Sequence, residues 1–128
     1  MSGRIAVQVY NRALIVTISG YFEEILGKQL KQQVLEHLKA GRNRLAIDFT
    51  PCNLISSLGL AAVFDLCQTV REDYLGRILL TGMNDLARKT FSYAGIFEIS
   101  ETAINIEVAR ELIAPGEPPA PSEPPATP

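Results

Sequence analysis

Two adjacent hydroxyls, Ser56 and Ser57, stand at the mouth of an apolar segment, LISSLGLAAVF at residues 54–64, and no charged residue occurs from 51 through 64. A hydroxyl at a helix start can do two kinds of work. It can cap the helix by accepting an amide hydrogen, for roughly 1 kcal/mol. It can also accept a phosphoryl group, because a helix N-terminus offers free N–H groups and a positive dipole end that tolerate a dianion. A phosphate on Ser57 would add about −2 charge to a surface that has none. A partner burying that surface would have to desolvate the phosphate, so the modification would evict the partner and leave the fold intact. Neither serine completes a capping box, since Gly59 and Leu60 occupy the third positions on. Gly59 costs about 1 kcal/mol against alanine inside a helix. Tolerating that cost points to a close approach by backbone, ligand or partner, or to tight packing of the helix on a sheet.

Other chemistry is sparse. His37 is the one histidine, which disfavours Ser-His pairing and a histidine metal site. Glu23 and Glu24 sit where acids favour a helix start. Asp48 ends a strand and could accept hydrogen bonds from a nearby helix N-terminus. Cys52 and Cys67 form no CxxC pair and read as small buried hydrophobes in a reducing compartment. No phosphate-binding glycine loop is present. The expectation is a protein that is not an enzyme and uses no cofactor or metal.

The elements that must position the serines follow from the chain as a whole. Its 128 residues are one domain's worth, 47% hydrophobic, with a formal net charge of −2. That balance gives no electrostatic footprint for nucleic acid. No apolar run is long enough to span a membrane. The N-terminal residues lack a signal-peptide pattern, so a cytoplasmic location is expected. The last fourteen residues, PGEPPAPSEPPATP, contain seven prolines and read as an extended tail over 114–128. The folded domain is expected over 1–113.

Residues 5–10 alternate, residues 13–19 are rich in β-branched side chains, and Asn11-Arg12 between them reads as a hairpin turn, with Gly20 ending the second strand. Leu26, Leu30, Val34 and Leu38 form one face of a helix over 24–40 that Gly41 ends. A strand over 44–49 leads through a loop at 50–53 into a helix from 57 or 58 to 73. A strand over 77–82 follows, then a helix capped by Asn84 that carries Leu86, Ala87, Thr90 and Phe91. Residues 96–100 read as a brief extended piece, and Thr102 as the cap of a last helix. Strands alternating with helices require crossovers and parallel pairs. The fold class is α/β: a small mixed sheet of four to five strands, opened by a hairpin, with about four helices packed on it.

This order of motifs resembles the STAS domain family, in particular the bacterial anti-sigma factor antagonists. The resemblance runs from VTISGYFEE through LKAGRNRLAIDFTPCNLISSLGLAAVF to RILLTGMNDLARKTFSYAGIFEIS, over about 110 residues. The family's Asp-Ser-x-Gly-Leu signature falls on residues 56–60, with Ser56 in place of the aspartate. A register one residue earlier makes Ser56 the acceptor but puts Leu58 on the glycine. The resemblance implies that Ser57 is phosphorylated, with Ser56 the alternative. It implies that the unphosphorylated protein binds an anti-sigma factor that is also a serine kinase, and that a serine phosphatase resets the switch. The contact residues it implies are Gly20, Tyr21, Glu23, Cys52, Asn53, Ser56, Ser57, Leu58, Gly59 and Leu60. A homodimer is a further possible assembly. Two other classes stand beside this one. The first is a non-phosphorylated STAS subunit of a phospholipid-type ABC transport complex or signalling scaffold, which the Ser56 replacement favours. The second is a small-ligand binder or enzyme.

Overall fold

β1 (Arg4–Val9) and β2 (Ala13–Phe22) pair antiparallel, with Ile5 opposite Ile18 and Val9 opposite Leu14. The computed structural model describes residues 3–118. α1 (Glu24–Lys39) returns the chain to β3 (Arg44–Asp48), which lies parallel to β2. β5 (Arg77–Thr81) and the two-residue β6 (Glu101–Thr102) extend the parallel side, giving the order β1-β2-β3-β5-β6. β4 (Cys52–Ile55) lies off this path and pairs with the far end of β2. The expected mixed sheet is therefore present, with six strands among the described residues where four to five were expected.

The sheet separates two cores. On one face Leu14, Val16, Ile18, Leu45, Ile47, Ile78 and Leu80 meet the apolar faces of α1, α2 (Ser57–Gln68) and α3 (Asp85–Tyr93). On the other, Ala13, Ile15, Ala46 and Leu79 meet Ala109 and Ile113 of α4 (Ile106–Ile113). This alternation along each strand follows from the period-2 geometry of a strand covered on both sides. α1 and α2 cross closely because a Cβ on Gly27 would lie 2.7 Å from the Cβ of Ala62.

Several local expectations are corrected. Gly20 does not end β2. It adopts φ +77 at a register shift, and β2 continues to Phe22. That irregularity lets the strand leave β3 and pair with β4, so residues 52–55 are a strand and not a loop. The helix from Ser57 is α-helical to Gln68 and ends in a π-helical turn, Thr69–Asp73. Residues 96–98 form a 3-10 turn entered through Gly95 at φ +78, because β6 takes the sheet position beside β5. Thr102 lies in β6, and the cap of α4 is Asn105, whose side chain accepts from the Val108 amide at 2.8 Å. Past α4, Ala114 is buried and Glu117 accepts a hydrogen bond from the Asn11 amide. Residues 119–128 of the expected tail lie outside the described residues.

Candidate functional site

The site is built where β2 outruns β3. The Gly20 amide donates to Pro51 O at 2.9 Å, Tyr21 stands beside Leu54 and Phe22 beside Ile55, and the Ser56 amide donates to Phe22 O at 2.9 Å. These bonds bring the 20–23 and 51–60 segments into one surface. The turn into β4 is held from below by Asp48. Its Oδ1 accepts from the Thr50 amide at 2.9 Å and from Thr50 Oγ1 at 2.6 Å. The expected acceptance from a helix N-terminus is thus replaced by a bond within the strand's own turn, the usual local use of an aspartate.

The two serines separate by role. Ser56 has extended backbone, φ −80 and ψ 166, and its Oγ accepts from the Gly59 amide at 3.0 Å. It is the N-cap. Ser57 is the first helical residue and is exposed, with no hydrogen-bond partner for its side chain among the described residues. Position alone decides this: the cap oxygen turns back over the first turn, while the next side chain projects outward. Gly59 is explained by backbone. A Cβ there would lie 2.6 Å from Phe22 O and 2.8 Å from Phe22 Cδ2. α2 can seat on the end of β2 only without a side chain at that position.

Of the remaining expected contact residues, Asn53 and Leu58 are exposed, Leu58 by 56%. Tyr21 and Cys52 are half-buried. Gly59 is buried under Phe22, and Leu60 packs against the main core, so both hold α2 in place. Glu23 is the N-cap of α1, its Oε1 accepting from the Leu26 amide at 3.0 Å and Oε2 from the Ile25 amide at 3.2 Å. The carboxylate fixes the entry to α1 next to the serines.

Ile25, Leu54 and Leu86, none of them among the contact residues expected from the sequence, are exposed by 64%, 54% and 67%. Leu26 continues the stripe of Leu30, Val34 and Leu38 at four-residue spacing, whereas Ile25 lies off it by about 100°. That was the available signal for Ile25. Between β4 and α3 lies a cleft of about 110 Å³, lined by Phe49, Ile55, Met83, Leu86, Ala87 and Phe91 among others. Cys52 borders this cleft. Burial pushes its thiol up, against weaker opposition from backbone hydrogen bonds to Leu54 and Phe22. Cys67, fully buried on the inner face of α2, is pushed up to about 12 by the same cause. Neither is set up as a thiolate nucleophile. His37 lies in the last turn of α1, its Nδ1 3.4 Å from Arg42 Nη1, at the opposite end of the helix from the serines.

A hairpin-led mixed sheet, helices on both faces and a capped serine pair heading α2 define a small α/β domain whose exposed chemistry is a hydroxyl on an apolar surface. The chain belongs to the STAS domain family, whose pattern matches residues 4–109. Among curated protein sequences none matches it. Solved structures show the same fold at low identity. An anti-sigma factor antagonist from Mycobacterium paratuberculosis superposes with a TM-score of 0.73 at 15% identity, covering 88% of this chain and 94% of that one. The phosphorylated form of the Bacillus cell fate determinant SpoIIAA gives 0.69 at 15%, with 84% and 98% covered. A serine-to-glutamate variant of RsbS from Moorella thermoacetica gives 0.71 at 17%, with 85% and 93% covered. Among the described residues no helix is long and apolar enough to cross a membrane.

Proposed function

We propose that the protein is an anti-sigma factor antagonist that works by partner switching, with Ser57 as the phosphorylated residue. Unphosphorylated, it docks an anti-sigma factor with serine-kinase activity through the surface around Ser57. Phosphorylation ends the docking, and a serine phosphatase restores it. The domain acts as substrate and docking surface, in the cytoplasm. The observation that carries this reading is the exposed, unpartnered Ser57 hydroxyl at the first position of α2, flanked by exposed Leu54 and Leu58 on a segment without charge.

The replacement of the family's aspartate by Ser56 is accommodated in physical terms. Aspartate and serine are comparable N-caps, and Ser56 fills the cap with a 3.0 Å bond to Gly59. The α2 terminus keeps its geometry and loses one negative charge beside the acceptor. A phosphate on Ser57 meets the helix dipole and the first-turn amides, and it places a dianion where a docked partner has to exclude water.

The same replacement favours a second reading, a STAS subunit held permanently in a phospholipid-type transport complex or signalling scaffold. Incubation with ATP and candidate serine kinases from the same cell, followed by phosphopeptide mapping, separates the two. Phosphate on Ser57, with loss of partner binding in Ser57→Asp, is the expected result. Phosphate only elsewhere, or unchanged binding by Ser57→Asp, overturns the first reading. Stable ATP-independent association with a transport ATPase supports the second.

A further inference from the structure

β4 pairs with the far end of β2 and stands off the path of the main sheet. The cleft of about 110 Å³ is the space this leaves between β4 and α3. Its floor is Phe49, Met83 and Phe91, all almost wholly buried, and its rim includes the exposed Leu54 and Leu86. The Phe49 and Phe91 rings meet edge to face, with centroids 5.4 Å apart and planes at 81°. None of the residues lining the cleft is charged. A charged group entering it would lose water and find no counter-charge. An engineered apolar cavity of about 150 Å³ takes up benzene, so a cleft of this size, open at its mouth, has room for one ring.

The polar side chains of the cleft differ in what they have left to give. Thr90 Oγ1 donates to Leu86 O at 2.9 Å, and Cys52 Sγ donates to Leu54 O at 3.6 Å. Both are turned onto their own backbone. Asn53 is exposed on the rim with no bond to fix its side chain. Asn84 is held. Its Oδ1 accepts from the Ala87 amide at 2.8 Å as the cap of α3, which fixes the plane of the side-chain amide. Its Nδ2 makes no hydrogen bond among the described residues. Two oriented N–H donors thus stand at the rim above an aromatic floor.

We propose that the cleft is a binding site for a small neutral aromatic molecule bearing one oxygen acceptor, a phenol being the simplest of the class. The ring lies on Phe49 and Phe91, where edge-to-face packing is favourable, and the oxygen accepts from Asn84 Nδ2. Mostly apolar walls with one or two placed polar groups are the usual make-up of such a site. A tyrosine of a docked protein carries the same chemistry but enters hydroxyl first, which takes its oxygen to the floor and away from Asn84. A free molecule enters ring first and leaves its oxygen at the rim. The site borders the Ser57 surface through Leu54, yet its occupancy does not depend on phosphorylation.

The test is a titration of the full chain followed by amide and methyl shifts, with phenol, toluene and benzoate as probes. Phenol is expected to give saturable shifts confined to residues 52–55 and 83–91. Toluene, which has the shape without the oxygen, is expected to shift the same residues, and benzoate none. Asn84→Ser keeps a cap oxygen and removes the side-chain amide. It is expected to weaken phenol about three- to tenfold, the factor that one net hydrogen bond supplies, and to leave toluene unchanged. Ala87→Leu fills the cleft and is expected to abolish both. Phenol shifts that do not saturate or that spread over other surfaces overturn the proposal. So does equal weakening of phenol and toluene, or of neither, in Asn84→Ser. N-acetyltyrosinamide shifting the same residues at lower concentration than phenol overturns it in favour of a docked tyrosine.

Discussion

A Cβ on Gly59 would lie 2.6 Å from the carbonyl oxygen of Phe22. One contact therefore sets the distance between the end of β2 and the first turn of α2, and with it the position of Ser57. The nearest atoms are backbone and ring carbon, which cannot swing aside. Gly59→Ala is expected to destabilise the domain by about 1–3 kcal/mol despite alanine's better helix propensity. Chemical denaturation measures the loss, and a neutral or stabilising result contradicts the contact.

Ser56 and Ser57 are expected to part company on mutation. Ser56→Ala removes the 3.0 Å cap on the Gly59 amide and costs about 1 kcal/mol. Ser57→Ala removes an exposed, unpartnered hydroxyl and changes stability by less than about 0.5 kcal/mol. Phosphate incorporation is expected to show the reverse order, lost in Ser57→Ala and retained in Ser56→Ala. Thermal melts and mass spectrometry on the same two samples check both halves.

Arg77 joins three elements at the far edge of the sheet. Its Nε and Nη2 donate to Glu101 at 2.8 and 2.6 Å, and its Nη1 donates to Leu112 O at 3.3 Å. Hydrogen bonding from Arg77 is the main cause holding the Glu101 carboxyl below its ordinary value of 4.5. A carboxyl lowered in the folded state contributes stability in full above its unfolded pKa. That contribution is lost as pH falls from about 4.5 through the lower folded value. Both side chains are nearly half exposed, so the effect is at most about 1 kcal/mol and weakens with salt. Glu101→Gln is expected to lower stability at pH 7 and to flatten the pH dependence below 4.5. Denaturation curves at pH 3 and pH 7, with and without added salt, read it out.

The two thiols are expected to react in sequence. Cys67 is wholly buried, with its thiol pushed up to about 12, so labelling has to wait for unfolding. Cys52 is half-buried beside the cleft and is expected to label slowly in the native state. A disulfide reagent followed optically, first in buffer and then in denaturant, distinguishes them. Native labelling of both at equal rates counts against the packing of α2 on the sheet.

How much of this could be read without coordinates depends on the range of the forces involved. Leu26, Leu30, Val34 and Leu38 announce α1 because side chains one turn apart share a face, and all four are buried against the sheet. The run at 13–19 announces β2, and Asn84 announces α3, because β-branching and capping act within a few residues. The short run at 52–55 gave no such signal. Its partners, Gly20, Tyr21 and Phe22, lie some thirty residues earlier, and only the shift at Gly20 frees them to pair. The same holds for residues 96–98, which turn because β6 has already taken the sheet edge.

The amino-acid order alone determined that an uncharged serine pair would head an apolar helix in a hairpin-led α/β domain. Tertiary structure decided that Ser56 turns inward as cap and Ser57 outward, that Phe22 and not a ligand accounts for Gly59, and that Leu86 faces solvent. Local pattern fixes which residues share a face. Which face is then covered depends on elements distant in the chain, and no window of neighbouring residues contains that information.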